Sequence, residues 1–305
     1  MSKALIAIDQ SKSYRVYLTI TTDLVQKASD IHETTPVATA GLGRTLTAAG
    51  LMGIMLKNEG DKLTVQFKGD GPAKQILATA YGNGNVKGYI ANPYVDLPLN
   101  EKGKLDVGGS LGIGELTVIK DLGLREPYVG TIALVSGEIA DDLTAYFYIS
   151  EQQNSSVALG VKIERDLTVG AAGGMIIQML PQAEEGAVDA LEQLIGSMEP
   201  LTTIISRVAE HNRALSDSGL VQALMEEIFR EMPAEYKPRM LDEREINWNC
   251  DCSYERLQQV LMTIGKQDLT EIIEEDGEAE LQCQFCLEKY HFDREALTEI
   301  LNRIN

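Results

Sequence analysis

The first 249 residues of this 305-residue chain contain no cysteine. Disulfides therefore cannot staple the bulk of the protein, whose stability must rest on an apolar core. Histidine is also scarce, at three, and no Ser/His/Asp grouping has a plausible partner, so an enzyme is not supported. Positive charge is short as well: 27 Lys and Arg stand against 46 Asp and Glu, a formal net charge of −19. That balance argues against a nucleic-acid backbone as partner, because such binding needs cations to neutralise phosphates. The segment from Tyr236 to Asn305 offers no local exception, with sixteen acidic and eight basic side chains. No apolar run approaches membrane-spanning length. The start, M-S-K-A-L-I-A-I-D-Q, reaches Asp9 before a signal-peptide core develops, so the expected location is the cytoplasm, where thiols stay reduced.

The chain divides into three compositional zones. Residues 1–180 hold 22 of the 27 glycines, set between short β-branched runs. R-V-Y-L-T-I, K-L-T-V-Q-F, V-K-G-Y-I, E-L-T-V-I, G-T-I-A-L-V, A-Y-F-Y-I and V-A-L-G-V-K-I all read as strands of half-buried sheet. Asn83-Gly84 is a two-residue hairpin signal. Thr35 and Pro36 open one long helix that continues from Val37 to Leu56. Residues 181–238 change to helical spacing. The stripes are Val188, Leu191, Leu194, Ile195 and Met198; Leu201, Ile204, Ile205 and Val208; and Leu220, Leu224, Ile228 and Phe229. Such short helices are marginal without a surface to pack on. Residues 239–305 carry the cysteines, a helix capped by Ser253 and ended by Gly265, and a capping-box pattern at Asp268 and Glu271. Two strands then meet at C-Q-F-C, and Asp293 caps a last helix. The expected class is α+β, with a β-rich N-terminal core domain, a helical linker and a small C-terminal zinc-binding α+β domain.

All four cysteines fall in N-C-D-C-S and Q-C-Q-F-C-L, at Cys250, Cys252, Cys283 and Cys286. Two short pairs separated by 30 residues give two bidentate grips, which is what tetrahedral zinc requires. One Zn2+ on these four thiolates is the expected cofactor; His291 lies close by and is an alternative ligand, though with four cysteines available it reads more readily as a surface or packing residue. A zone of this size gains only a few kcal/mol from its own core. Bound zinc contributes an apparent ~10–16 kcal/mol to a small domain, and that becomes folding free energy. Thiolates are the form that oxidants attack, and an oxidised sulfur is no longer a ligand. Bridging within a close pair cross-links almost nothing and cannot replace the metal. The site is therefore capable of switching folding on and off, while an inert structural staple has the same spacing.

The tail, C-D-C-S-Y-E-R-L-Q-Q-V-L followed by C-Q-F-C-L-E-K-Y-H-F, resembles the redox-switch domain of the 33-kDa heat-shock protein family, bacterial holdase chaperones. H-E-T-T-P-V-A-T-A-G-L-G-R, V-S-G-E-I-A-D-D-L-T-A-Y-F-Y-I-S-E-Q and A-A-G-G-M-I-I-Q-M-L-P are similar to the family's core-domain signatures, and Phe285 and Tyr290 fit its pattern. The resemblance implies an ATP-independent chaperone that is inactive while zinc is bound. Oxidation would join Cys250 to Cys252 and Cys283 to Cys286, release zinc, and unfold the switch domain and linker. The surface so exposed would bind unfolding proteins under oxidative and heat stress. It further implies a homodimer in the active form and transfer of clients to ATP-dependent chaperones.

Other features have plainer readings beside sharper ones. Met175, Met179, Met198, Met225, Met232 and Met240 suit either promiscuous binding or ordinary packing. V-G-G-S-L-G-I-G-E-L reads as a turn between strands rather than a nucleotide loop, because a strand follows it. Glu138, Asp141 and Asp142 read as a solvated helix start. A thiol oxidoreductase built on Cys283 and Cys286 would want a helix N-terminus that this position lacks. A constitutive zinc-ribbon adaptor with purely structural zinc is the main alternative function.

Overall fold

The computed structural model describes residues 2–304. The chain forms two compact units, Met1–Asn249 and Cys250–Asn305. The first contains β1 (Ser2–Asp9), β2 (Tyr14–Ile20), α1 (Thr22–His32), α2 (Pro36–Gly53), β3 (Lys62–Gly69), β4 (Gln75–Tyr81), β5 (Asn85–Ile90), α3 (Val107–Leu111), β6 (Gly114–Asp121), β7 (Tyr128–Ala133) and α4 (Ile139–Ile149). It continues with β8 (Ser155–Ile163), β9 (Val169–Met179), α5 (Glu185–Ser197), α6 (Leu201–His211), α7 (Asp217–Ile228) and β10 (Pro238–Trp248). Ten strands pair in the order β7-β6-β3-β4-β5-β10-β1-β2-β9-β8. Every pairing is antiparallel except the short β10–β5 contact. The mixed α+β architecture is the one the sequence points to.

Period-two alternation gives the sheet two apolar faces. Ala4 and Tyr17 join one core, packed around α2, while their neighbours Leu5, Val16 and Leu18 join a second. Helix α2 is the axis of the first core: apart from Pro36 and Arg44 all its residues are buried, so small side chains must let the surrounding elements approach. A Cβ on Gly43 would stand 2.5 Å from Val25 Cγ1, and one on Gly50 would stand 2.7 Å from Ile246 Cγ2. The second core is closed by α5, α6 and α7. Leu191, Ile204, Ile205, Val208, Leu224 and Ile228 lie against the β1–β2–β9 face, beside Met175 and Ile177. The apolar stripes of residues 181–238 are thus used, and by the sheet rather than by one another alone. Tyr14 anchors the same face: its hydroxyl donates to the Tyr236 carbonyl and its ring stacks on Phe229, 6.3 Å between centroids.

Some local expectations are corrected. A-Y-F-Y-I is not a strand but the end of α4, where Ile139, Leu143, Tyr146 and Phe147 recur at helical spacing on the buried side. A five-residue apolar run cannot by itself decide between the two periods. The glycine string begins as a single helical turn, α3, because the Asp106 carboxylate accepts the Gly109 N–H before β6 starts. Asn83-Gly84 sits in a three-residue loop, Gly82 to Gly84, with Gly84 at φ +84° and its N–H on the Tyr81 carbonyl. Thr35 precedes α2 as expected, but its hydroxyl donates to the carbonyls of Pro93 and Val95 instead of capping the helix. The acidic cluster is not solvated throughout. Asp142 is fully buried, accepting the N–H groups of Val135 and Ser136, while Glu138 pairs with Arg44 of α2.

The second unit contains α8 (Tyr254–Thr263), α9 (Lys266–Glu275), β11 (Glu278–Gln282), β12 (Lys289–Asp293) and α10 (Arg294–Arg303). Ser253 and Asp293 cap α8 and α10 through side-chain oxygens, as their positions suggest. Gly265, at φ +94°, both ends α8 and starts α9, so Asp268 lies inside the first turn and the capping box does not form. Six residues are buried in the core of this unit: Leu261, Leu269, Ile273, Phe292, Leu297 and Ile300. Tyr254 stacks on Phe292 with ring centroids 4.4 Å apart.

Candidate metal centre

Cys250 and Cys252 lie in the loop ahead of α8. Asp251, between them, is held by Arg256 of the first helical turn, whose guanidinium bonds both the Asp251 carboxylate and, at 3.0 Å, its carbonyl. Ser253 Oγ accepts the Arg256 N–H, so the helix start fixes the direction in which the loop arrives. Cys283 and Cys286 lie on the turn joining β11 to β12. The Cys283 N–H donates to the Glu288 carbonyl at 2.9 Å, and the Leu287 N–H donates back to the Cys283 carbonyl at 2.8 Å. Leu287 takes the left-handed conformation, φ +59°, that closes this turn.

The two segments bring the four sulfurs together. Cys250 Sγ is 3.6 Å from Cys283 Sγ, and Cys252 Sγ is 3.3 Å from Cys286 Sγ. All four lie within 4.8 Å of one another. Four sulfurs at ~2.3 Å from a common tetrahedral centre would be ~3.8 Å apart, so the cluster has the dimensions of a closed tetrathiolate site. Each motif supplies two of the four sulfurs, and both cross-motif approaches fall close to that spacing.

The surroundings set the protonation cost. Burial pushes the Cys250 thiol well above the ordinary range, and burial likewise pushes Cys286 up to about 11. At Cys283 burial acts in the same sense, but hydrogen bonds from the backbone N–H groups of Cys286 and Phe285 outweigh it and bring the thiol down. Sulfurs crowded this closely cannot all ionise without a cation between them. The donor set fits a soft, tetrahedral divalent ion such as zinc. His291 is not part of it: its ring is largely exposed, with Nε2 3.6 Å from a Glu278 carboxylate oxygen.

One contact escaped the sequence. The Tyr290 hydroxyl lies 3.2 Å from Cys252 Sγ. Tyr290 is 38 residues from Cys252, and nothing in the intervening pattern signals their approach. Among the described residues, no helix is long and apolar enough to cross a membrane.

Comparison with known proteins places this mixed α+β chain, with its large sheet and C-terminal four-sulfur cluster. The family model described as Hsp33 protein matches residues 3–293. The chain is 47% identical over 300 residues to the 33 kDa chaperonin of Alkaliphilus oremlandii, covering 97% of this chain and 96% of that protein. It is 44% identical to the 33 kDa chaperonin of Clostridium tetani, covering 99% of each. The crystal structure of the 33 kDa chaperonin (heat shock protein 33 homolog) from Thermotoga maritima superposes with a TM-score of 0.84 at 32% identity, over 98% of this chain and 97% of that one. The chain belongs to the Hsp33 family of chaperones.

Proposed function

We propose that this chain is a redox-gated, ATP-independent holdase, held inactive while Cys250, Cys252, Cys283 and Cys286 bind one zinc ion. The observation that carries the reading is the sulfur cluster itself: four thiols within 4.8 Å, in a unit whose described residues form an apolar core cluster of six buried side chains. Zinc, when bound, keeps these sulfurs as thiolates and contributes most of that unit's folding free energy. The family relationship supports the client-binding role.

In this reading a peroxide removes two electrons from each pair of thiolates. A sulfur attacks one peroxide oxygen, the O–O bond breaks, and hydroxide leaves to become water on protonation. The second thiolate then displaces hydroxide from the resulting sulfenic acid, which also leaves as water, and an S–S bond remains. The pairs joined are Cys250 with Cys252 and Cys283 with Cys286. Disulfide sulfurs no longer hold the cation, and short-range bridges do not replace its cross-link. Residues 239–305 act as the switch, residues 181–238 as the linker that melts after it, and residues 1–180 as the stable core. Of the switch segment, 239–248 pairs in the core sheet as part of β10 and is expected to be the last part to loosen. Loss of α5–α7 would bare the apolar face of β1, β2 and β9, a surface suited to unfolding polypeptide. A homodimer as the active form, hand-over to ATP-dependent chaperones and a cytoplasmic setting complete the proposal.

The test is light scattering from a thermally unfolding client protein, with this chain added either reduced and zinc-loaded or after peroxide treatment at elevated temperature. Suppression by the oxidised form alone, reversed by reductant, supports the holdase. Equal behaviour of both forms leaves zinc a staple and the chain a constitutive binding protein.

A further inference from the structure

Among the four sulfurs, Cys252 is approached by a side-chain hydroxyl. Tyr290 sits on β12 opposite Leu281 of β11, its ring half-buried against the small core and its hydroxyl 3.2 Å from Cys252 Sγ. A phenol is the stronger donor and a thiolate an acceptor only, so the proton points at sulfur. Cys250, Cys283 and Cys286 are served by backbone N–H groups of Cys252, of Phe285 and Cys286, and of Glu288. Those donors are inseparable from the turns that carry them. The phenol is different: phenylalanine would fill the same space without the proton.

We propose that Tyr290 is a positioning residue for the redox reaction, whose hydroxyl draws charge from Cys252 Sγ and slows its attack on oxidants. The role rests on the redox reading above. Attack on peroxide requires the sulfur to push an electron pair onto oxygen while the O–O bond breaks. A hydrogen bond to that pair must be weakened in the transition state, so it stabilises the resting thiolate more than the reacting one. It also fixes the Cys252 side chain toward β12. The C-x-C sulfur is thereby guarded against casual oxidation, and the guard is released when the hairpin loosens. Heat and oxidant then act together without any additional sensor.

The test compares zinc-loaded wild type, Tyr290→Phe and Tyr254→Phe. Tyr254 is the control: it lies in the same small core, stacked on Phe292, and the charges that act on its hydroxyl are those of Asp293 and Glu299. Peroxide-driven zinc release is followed with a chromogenic chelator, and Cys252 oxidation by mass spectrometry, below the melting temperature of each variant. Tyr290→Phe is expected to lose zinc and the Cys252 thiolate roughly three- to tenfold faster, the factor expected for one net hydrogen bond. With Co2+ in place of zinc, its thiolate-to-metal charge-transfer band should move to longer wavelength, because the sulfur lone pair is no longer stabilised. Tyr254→Phe should match wild type in both. Unchanged rate and band in Tyr290→Phe would overturn the role while leaving the redox reading intact. Equal acceleration in both variants with unmoved bands would assign the effect to weakened folding and also overturn it. If wild type keeps its zinc under peroxide, the redox reading fails and this role goes with it.

Discussion

Cys250 and Cys283, 33 residues apart in the chain, place their sulfurs 3.6 Å from each other. That single proximity ties the loop ahead of α8 to the β11–β12 turn, and with its counterpart at Cys252 and Cys286 it brackets most of the C-terminal unit. A core of six buried residues gives little else to hold that span.

Metal removal should therefore act locally. Stripping the protein with a strong chelator under reducing conditions is expected to remove hydrogen-exchange protection from α8, α9 and α10, while amides of α2 stay protected. Persistence of protection across 254–303 would mean that the core alone suffices. Protection lost from both units together would mean that the metal supports the whole chain.

Replacing one ligand should be nearly as damaging as removing the metal. Cys283→Ser takes away the thiol that its turn already favours as thiolate. Serine's alcohol is a poor ligand at neutral pH, so zinc content per chain, measured by atomic absorption, should fall from one toward zero after dialysis. His291→Ala, which removes an exposed ring outside the cluster, should leave zinc content at one.

Helix α2 predicts a packing penalty far from the cysteines. Gly50→Ala places a methyl 2.7 Å from Ile246 Cγ2, on the strand that leads to Cys250. Overpacking of this kind costs about 1–3 kcal/mol. Urea unfolding of the large unit should register a loss of that order, and an unchanged midpoint would show that β10 can yield.

Asp142 gives a pH dependence with a definite sign. Burial raises its pKa, partly opposed by the N–H groups of Ser136 and Val135, and Oδ2 has no partner. A carboxyl whose folded pKa is raised contributes stability that is full below its unfolded pKa, near 3.8, and is lost as pH rises through the folded one. Asp142→Asn keeps an acceptor for the two backbone donors and removes the charge. Its stability relative to wild type should therefore improve between pH 4 and pH 7, read as the difference in melting temperature. Asp142→Ala leaves those donors unpaired and should cost about 1–3 kcal/mol at either pH. A difference between Asn and Asp that is flat with pH would show that the carboxylate ionises at no cost.

Helices α6 and α7 should be removable by charge. Ile205 of α6 is buried against the sheet, and Ile205→Glu leaves a carboxylate there without a cation, a cost of about 3–5 kcal/mol. Hydrogen exchange should report loss of α6 and α7, and the reduced, zinc-loaded variant should already suppress client aggregation. Loss of the helices without that suppression would separate the exposed face from client binding.

Much of this was legible beforehand because it rests on strong, periodic or covalent signals. The stripes at Leu201, Ile204, Ile205 and Val208 set α6, and the cysteine spacing set the cluster. A-Y-F-Y-I reads as a strand because its helical period appears only when Ile139 and Leu143 are included. Asp142 looked solvated because sequence gives no sign that the Val135–Ser136 turn folds back over α4. The Tyr290–Cys252 contact depends on how the β11–β12 hairpin meets the loop ahead of α8, which no local pattern encodes. Short-range chemistry is written in neighbours; long-range hydrogen bonds are written only in the fold.

Whether metal loss gates client binding is decided by following three quantities in one sample during peroxide treatment at elevated temperature: zinc released, thiols remaining, and protection of an unfolding client. One zinc should leave as four thiols disappear, and protection should rise with the same time course, all three reverting when reductant and zinc are restored. Client protection that is already full before any zinc leaves, or that never appears after all of it has gone, would rule out a metal-gated holdase.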